Sequence, residues 1–411
     1  MHRAAYQRAA AARAWSLAAE AAVRLVYVVG VRLERHAEGR LWADQAEIAY
    51  ALAGDPRRLG EAQRLEKLSG IHHNLGEYRE SLERSGQALA IYERVLGPEH
   101  PFLTTTLSNL ALAYQQQADL ARAEETCERV LEIRTRALGP EHPQVGRALF
   151  KLAAVYEDRG AYAEAAELYR RALALQERAL TPTSDELTST LNNLATVYTR
   201  TREYAAARAL LERVLEIRER SLGPDHARVG TTLLNLAGVL AGMEDHEATR
   251  ATLERALAIL ERAKGPEHPF VGYALNNLGE LHSRLGEYDR AQELIERARG
   301  IGEANFGPDH PFTAAVVGNL GGVALAQGRP GDAVALLERA NGIFDEHEGE
   351  QEVELEHRFK LARALVASGG DRARALELAR AAAAGWRDAG DAMARELAEA
   401  EAWIAEHDAS E

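Results

Sequence analysis

The stretch Leu96-Gly97-Pro98-Glu99-His100-Pro101 is one copy of a motif that recurs along the chain. Full copies of the Leu-Gly-Pro-acid-His core begin at Leu96, Leu138 and Leu222, and variants begin at Lys264 and Phe306. A degenerate copy, Leu180-Thr-Pro-Thr-Ser, fills the gap, so the six copies start 42 residues apart. A fixed period of this length indicates a chain built from repeated structural units.

Each copy of the motif carries the chemistry of a helix end followed by a helix start. The glycine suits a left-handed residue that terminates one helix, and the second proline suits the first turn of the next. The glycines are Gly97, Gly139, Gly223, Gly265 and Gly307, and the second prolines are Pro101, Pro143, Pro269 and Pro311. The motif therefore predicts the loop between successive helix hairpins.

Two helical patterns lie between successive loops. In the first, Leu191, Leu194 and Tyr198 share one face at helical spacing. A short break such as Arg159–Tyr162 follows, and the second helix then begins with a small residue that allows close packing. These small residues are Ala123, Ala165, Ala207, Ala291 and Ala333.

The repeat predicts an all-α fold, a right-handed α-solenoid (superhelix) of stacked antiparallel helix hairpins. We expect N-terminal helices and a degenerate repeat or cap over residues 1–64, seven 42-residue repeats over 65–350, and a degenerate repeat with a capping helix over 351–411. The first helix is predicted to be long, from about Arg3 to Arg35. Its role is either that of a cap or that of a docking or dimer helix.

The repeat pattern resembles the tetratricopeptide repeats of kinesin light chains, which are also 42 residues long and which occur in many bacterial proteins. Leu191-Asn-Asn-Leu-Ala-x-x-Tyr198, Gly286-x-Tyr288 and the Leu-Gly-Pro-acid-His-Pro loop carry the resemblance. It implies a helical-hairpin fold and the binding of protein ligands. Residues 1–64 contain no sustained heptads to match the coiled coil of that family, so motor transport is not implied.

Composition and charge narrow the range of functions. The formal net charge of −14 disfavours direct binding to nucleic acid. The sequence contains no window of 18 apolar residues, so no membrane span is predicted. We expect a cytoplasmic protein with no membrane partner. The single cysteine, Cys127, lies at an apolar helix position and is interpreted as a buried small hydrophobe.

No pattern in the chain predicts catalysis, a metal or a cofactor, so we interpret the protein as a non-enzyme. Phosphate-binding loops and Ser/His/Asp or Cys/His constellations are absent. Five histidines share the loop position, but each belongs to a different repeat, so they cannot converge on one metal ion. They are interpreted as hydrogen-bonding loop residues: His100, His142, His226, His268 and His310.

One position of the first helix is asparagine in five repeats. These residues, which we call the asparagine ladder, are Asn109, Asn193, Asn235, Asn277 and Asn319, while Lys67 and Lys151 hold the position in two other repeats. Asparagine is a mediocre helix former, so five in register need a reason. Either the amides fix the stacking of neighbouring repeats, or they grip the backbone of an extended peptide. In kinesin-light-chain-like proteins the ladder lies near the cargo groove, which supports the second reading, but both readings stay open and the two can hold in different repeats.

Variable residues on the same helices are the candidates for ligand specificity. They are Asn192, Asn276, Arg147, Arg200, Tyr273, Glu280 and Arg284. The arginines are suited to acidic side chains of a ligand, and Tyr273 is suited to serve as an aromatic anchor. A solvated helix face is the alternative interpretation for each of them.

Two functions remain open from the sequence. The first is an interaction module that binds a protein or peptide segment in the concave groove of the superhelix. The second is a regulatory subunit, an inhibitor or sensor, that controls an effector such as a caspase-like protease, an NTPase or a transcription factor. The acidic stretch 345–356 is either a solvated loop or a docking site for a basic partner.

Overall fold

A computed structural model describes residues 2–54, 59–346 and 351–408 of the chain, and the side chains of 351, 391 and 392 are not described. Over these residues it contains twenty α-helices, one π-helix, one 3-10 helix and no β-strand. The predicted all-α solenoid of helix hairpins is confirmed. Most helices that follow one another in the chain pack against each other.

The chain divides into two compact units, which are described separately below. Unit 1 is Met1–Val197 and unit 2 is Tyr198–Glu411.

The helices of unit 1 come in hairpins after a shorter N-terminal group. They are α1 (His2–Ala11), α2 (Trp15–Leu25), the π-helix (Val26–Arg32), α3 (His36–Ala53), α4 (Leu59–Asn74), α5 (Tyr78–Leu96), α6 (Leu103–Gln116), α7 (Leu120–Leu138), α8 (Pro143–Asp158), α9 (Tyr162–Ala179) and α10 (Asp185–Arg200), the last of which ends just beyond the unit boundary.

Unit 2 continues the same alternation of first and second helices. Its helices are α11 (Tyr204–Leu222), α12 (Ala227–Gly242), α13 (His246–Lys264), α14 (Pro269–Arg284), α15 (Tyr288–Phe306), α16 (Pro311–Ala326), α17 (Pro330–Glu346), α18 (Gln351–Ala367), α19 (Arg372–Asp388), the 3-10 helix (Gly390–Met393) and α20 (Ala394–Asp408).

The loop glycines end their helices in a conformation that residues with side chains rarely adopt. Gly223 has φ 90° and ψ 154°, and Gly97, Gly139, Gly265 and Gly307 are similar. Backbone with positive φ and extended ψ is essentially restricted to glycine. In the degenerate loop Thr181 holds this position, and α9 ends at Ala179, with Leu180 extended at φ −108° and ψ 158°.

The loop histidines, His100 apart, cap the helices that follow them. In His226 the ring Nδ1 accepts a hydrogen bond from the backbone N–H of Arg228 at 3.1 Å. The same bond, at 3.1–3.2 Å, is formed by His100, His142, His268 and His310. A side-chain acceptor at this point satisfies an N–H that has no partner inside the helix. The interpretation of these histidines as hydrogen-bonding loop residues is confirmed.

Small residues bring the two helices of each hairpin together, as predicted. Ala123, Ala165, Ala207, Ala291 and Ala333 are completely buried. In the repeat without an alanine, Thr249 takes the same register, and its hydroxyl donates to the carbonyl of Asp245 at 2.7 Å. That bond satisfies the polar group of the buried side chain.

The prediction of one long N-terminal helix from Arg3 to Arg35 is wrong. The chain breaks after α1, where Arg13 has a left-handed φ of 54°, and the π-helix follows α2. The π-helix places Gly30 against Gly39 of α3, so closely that a Cβ on Gly39 would lie 2.4 Å from the Gly30 Cα. The irregular turn therefore accompanies a close backbone contact.

No helix in the described part of the chain has both the length and the apolar character that crossing a bilayer requires.

Candidate functional site

The members of the asparagine ladder have different surroundings. The Asn193 amide donates to the Tyr169 hydroxyl at 3.1 Å, and the Asn319 amide donates to Asn276 Oδ1 at 3.2 Å. The amides of Asn109, Asn235 and Asn277 have no hydrogen-bond partner among the described residues. The amides of Asn193 and Asn319 therefore bond to other side chains in the described part of the protein, whereas those of Asn109, Asn235 and Asn277 do not.

The Asn319 side chain is held by a buried histidine as well as by Asn276. His357 of α18 is 1% exposed, and its Nε2 lies 3.3 Å from Asn319 Oδ1. Burial, helped by the charge of Lys360, lowers the pKa of His357 to about 3, so the ring is neutral. A neutral imidazole whose Nε2 faces an acceptor carries its proton there, which gives His357 the role of donor to Asn319.

A cavity of about 480 Å³ in unit 2 gathers four of the predicted site residues. Three lie on α14 at helical spacing, Asn277, Glu280 and Arg284, and the fourth is Arg200 at the end of α10. Residues three, four and seven apart share one helix face, so α14 presents all three to the same space. A smaller adjacent cavity of about 170 Å³ adds Asn319 to the lining.

Acidic side chains of α18 face these residues across the cavity. Arg200 Nη1 lies 3.6 Å from Glu352 Oε2, and Arg284 pairs with Glu280 on its own helix at 2.8 Å. Glu356 lines both cavities and is paired with Lys360 at 2.7 Å. Charged groups of both signs therefore surround the space.

The pKa values reflect this crowding of charge. The Lys360 ammonium lowers the pKa of Glu356, while burial raises the pKa of Glu352 against the opposing effect of Arg200 and Arg202. The carboxylate of Glu280 raises the pKa of Arg284. Ion pairs that are only partly exposed cost less to exchange for another charged partner than buried ones do, so a ligand with charged groups can compete for these side chains.

The remaining predicted residues lie outside this cavity. In unit 1 Arg147 forms an ion pair with Glu186 of the following repeat at 2.9 Å, and the Asn192 amide donates to the carbonyl of Thr188 at 2.8 Å. In unit 2 the ring of Tyr273 is 38% exposed and packs 4.4 Å from that of Phe312.

Unit 1 has its own cavity, of about 790 Å³, near its N-terminal helices. Lys67, which replaces asparagine in the ladder register, lines it beside Glu66 and Tyr27. Its ammonium lies 5.7 Å from the centre of the Tyr27 ring, a cation–π arrangement. Glu66 accepts a hydrogen bond from Thr106 at 3.0 Å.

Sequence reasoning missed several residues that line the cavity of unit 2. Arg202 and Glu244 belong to the turns between helices, and Arg395 and Glu396 belong to α20. The signal for the first two is present in the sequence, because charged residues stand where Gly286 and Gly328 stand in later repeats. The contribution of α20 depends on how the hairpins stack and has no signature in the sequence.

No group of three or more His, Cys, Asp or Glu side chains suited to a metal ion occurs in residues 2–54, 59–346 and 351–408.

Comparison with known proteins identifies the repeat. A family model described as the tetratricopeptide repeat matches residues 60–126, 102–178, 186–262, 228–304 and 271–346. No curated protein sequence matches the chain.

Three solved structures illustrate the range of similar folds. The apo form of RapI has a TM-score of 0.54 at 16% identity and covers 81% of this chain and 97% of its own. BtubC (BKLC) from P. vanneervenii has a TM-score of 0.47 at 25% identity, covering 57% and 91%. The nearly identical repeats of a putative kinesin light chain from Podosopora anserina have a TM-score of 0.46 at 27% identity, covering 51% and 99%.

Proposed function

We propose, since this chain belongs to the tetratricopeptide repeat family, that it is a non-catalytic interaction module that binds a segment of another protein along the first helices of its hairpins. Proteins built from these repeats are protein-interaction scaffolds. The proposal adds a place and a chemistry of binding to that general role.

The observation that carries the proposal is the 480 Å³ cavity of unit 2. It brings Arg200, at the end of α10, together with Asn277, Glu280 and Arg284 of α14. Side chains that lie far apart in the chain and converge on one open space are typical of a binding site.

The chemistry of the lining suits a peptide segment with polar and charged side chains. A free amide such as that of Asn277 supplies both donors and an acceptor, which match the N–H and C=O groups of an extended backbone. Arg284 and Arg200 supply planar guanidinium groups that can pair with carboxylates. Asn235, on the preceding first helix, is exposed and extends the amide row.

The experiment compares partner capture by the wild type with capture by an Asn235→Ala/Asn277→Ala double variant. The probe is the set of proteins cross-linked to the purified chain in an extract of its host and quantified by mass spectrometry. We expect a partner that the wild type enriches to fall at least about tenfold with the double variant, which corresponds to about 1.4 kcal/mol of lost binding energy.

A matched control removes a half-buried amide from a second helix. Gln292 lies on α15 and donates to Glu296 at 2.8 Å, outside the cavity lining. The Gln292→Ala variant is expected to keep the partner. Full retention of the partner by a folded Asn235→Ala/Asn277→Ala variant would overturn the groove as the binding site.

Three finer statements belong to the same proposal. The partner is an unidentified protein or peptide, and its nature as a regulated effector stays a prediction. Cytoplasmic location stays a prediction. The division at residues 64 and 350 into cap, repeats and C-terminal region also stays a proposal.

A further inference from the structure

The turns between the two helices of each hairpin in unit 2 pass through a left-handed residue. Four positions at the 42-residue period have positive φ: Arg202 at 60°, Glu244 at 59°, Gly286 at 77° and Gly328 at 74°. Glycine adopts this conformation without cost, whereas a residue with a Cβ is strained in it. Arg202 and Glu244 therefore stand where glycine would fold more easily.

The two strained side chains reach the same short segment. Arg202 Nη2 donates to Glu396 Oε1 at 3.0 Å and lies 3.4 Å from Met393 Sδ. Glu244 Oε1 accepts from Arg395 Nη1 at 2.5 Å. Both contacts are long-range. Arg202 and Met393 are 191 positions apart in the sequence, and Glu244 and Arg395 are 151 positions apart.

The signs of the charges match at both contacts. Arg395 and Glu396 are neighbours of opposite charge at the start of α20. Arg395 pairs with Glu244, and Glu396 pairs with Arg202. Arg395 lowers the pKa of Glu244, and the Glu396 carboxylate is a main reason that the pKa of Arg202 is raised, against the opposing effect of burial. Replacing Arg202 or Glu244 by a residue of the opposite charge would bring two like charges into contact.

We propose that residues 393–396 and the turn residues Arg202 and Glu244 form a clasp that holds α20 against the turns and closes one side of the unit 2 cavity. The lining of that cavity includes Arg202, Glu244, Met393, Arg395 and Glu396 together with Asn277 and Arg284. The clasp is thus a wall of the space, and its release widens the opening. This consequence for binding rests on the function proposed above.

The strength of the contacts fits a device that opens. The side chains of Arg202 and Glu396 are 31% and 34% exposed, and those of Arg395 and Glu244 are 77% and 63% exposed. Ion pairs with this exposure are weak and are screened by salt. The two ion pairs therefore hold the start of α20 weakly, and a ligand that prefers the open arrangement can shift the balance.

The test measures the clasp in the protein alone, with no ligand. Spin labels are placed on cysteines introduced at Ala209 of α11 and Ala405 of α20, both exposed. The native Cys127 is buried, and burial raises the pKa of its thiol to about 11, so it does not compete for the label. Pulsed electron spin resonance then gives the distribution of distances between the labels.

The decisive variant replaces both turn residues by glycine, Arg202→Gly with Glu244→Gly. Glycine relieves the left-handed strain, so the turns fold at least as well as before. If the clasp exists, the population of long distances rises about three- to tenfold, since two weak ion pairs are lost. If the distribution does not change, the side chains have no holding role and the proposal is wrong.

A charge exchange supplies the rescue. Glu244→Arg alone places like charges at the contact and is expected to open the clasp, whereas Glu244→Arg with Arg395→Glu restores an opposite pair and the short distance. The control Asp225→Ala removes an equally exposed ion pair of unit 2, Asp225 with Arg262 at 2.8 Å, and should leave the distances unchanged. Failure of the double exchange to restore closure would also overturn the proposal.

The two proposals fail separately. The label distances do not depend on a partner, so an unchanged distribution removes the clasp and leaves the groove proposal standing. If the glycine variant opens but Asn235→Ala/Asn277→Ala keeps the partner, the groove is not the binding site and the clasp remains as a structural closure.

Discussion

The Asn193 amide donates a hydrogen bond to the hydroxyl of the buried Tyr169, and that hydroxyl donates to Glu157 at 2.8 Å. The chain of three side chains crosses from the first helix of one repeat to both helices of the previous one. Burial raises the pKa of Tyr169, with a further contribution from Glu157, so the phenol stays protonated and available as a donor. A member of the asparagine ladder thus satisfies a polar group of the core.

This arrangement predicts different costs for two substitutions at the same register position. Asn193→Ala should lower the free energy of unfolding by about 1 kcal/mol, because a half-buried hydrogen bond is lost. Asn235→Ala should leave the free energy of unfolding unchanged or raise it by up to about 0.5 kcal/mol, because alanine is the better helix former. Urea unfolding of the two variants checks the difference, and an equal cost at both positions would contradict the division of the ladder.

The neutral state of His357 predicts a dependence of stability on pH. Its pKa is lowered to about 3 in the folded chain and is near 6.5 when unfolded, so the unfolded state binds more protons between these values. Stability is complete above about pH 6.5 and falls by about 1.4 kcal/mol per pH unit below it. The loss between pH 6.5 and 5.0 should be about 2 kcal/mol, before the carboxylates titrate.

A His357→Gln variant checks the assignment because glutamine keeps an N–H donor and does not titrate. The measurement is the urea midpoint at several pH values between 7 and 5. Among the groups around the ring, Phe344 and Asn319 do not titrate, and the Lys360 ammonium lowers the pKa of Glu356 further below this window. An identical slope for wild type and variant would show that another group is responsible.

Gly318 lies under the same histidine and should not tolerate a larger residue. A Cβ built there would lie 2.5 Å from Cε1 and Nδ1 of His357. Because the ring is buried and held by Asn319, Gly318→Ala should cost about 1–3 kcal/mol through overpacking. Gly300→Ala is the matched control, since nothing lies within 4 Å of its Cβ and it should gain about 0.5–1 kcal/mol of stability. Thermal unfolding of both variants decides the matter.

Cys127 should be inert while the protein is folded. Its side chain is 3% exposed, and burial raises the pKa of the thiol to about 11, although Lys151 opposes the shift. A thiolate is the reactive form, so at pH 8 both access and ionisation are suppressed. An aromatic disulfide reagent should label the folded chain at least about 100-fold more slowly than the chain in denaturant. Rapid labelling of the folded protein would show that the hairpin around α7 opens readily.

The fold was predictable because the repeats contain residues that end one helix and start the next. Glycine, proline and histidine recur at set positions in five of the six loops, and each acts on backbone within a few residues, as Gly223 and His226 show. The N-terminal region lacks these helix-ending and helix-starting residues, and there the prediction of one helix from Arg3 to Arg35 was wrong. Local propensity is uniformly helical in that segment, whereas the close contact of Gly30 with Gly39 depends on tertiary packing.

The candidate site was predictable only in part, for a related reason. Helical spacing places Asn277, Glu280 and Arg284 on one face, and the structure puts them at one cavity. The sequence does not specify which residues lie across that cavity. Glu352 and Glu396 reach it through the cumulative stacking of several hairpins, and small rotations between hairpins add up over that distance.

The contacts of Arg202 and Glu244 with the start of α20 also limit how unit 2 can evolve. Duplication of one 42-residue repeat preserves the packing between hairpins in such arrays, because each hairpin touches only its neighbours. An added hairpin between α13 and α14 would preserve every neighbouring contact, yet it would carry Arg395 and Glu396 one step away from their partners. The number of repeats between residues 202 and 396 is therefore under a constraint that neighbour packing alone does not impose.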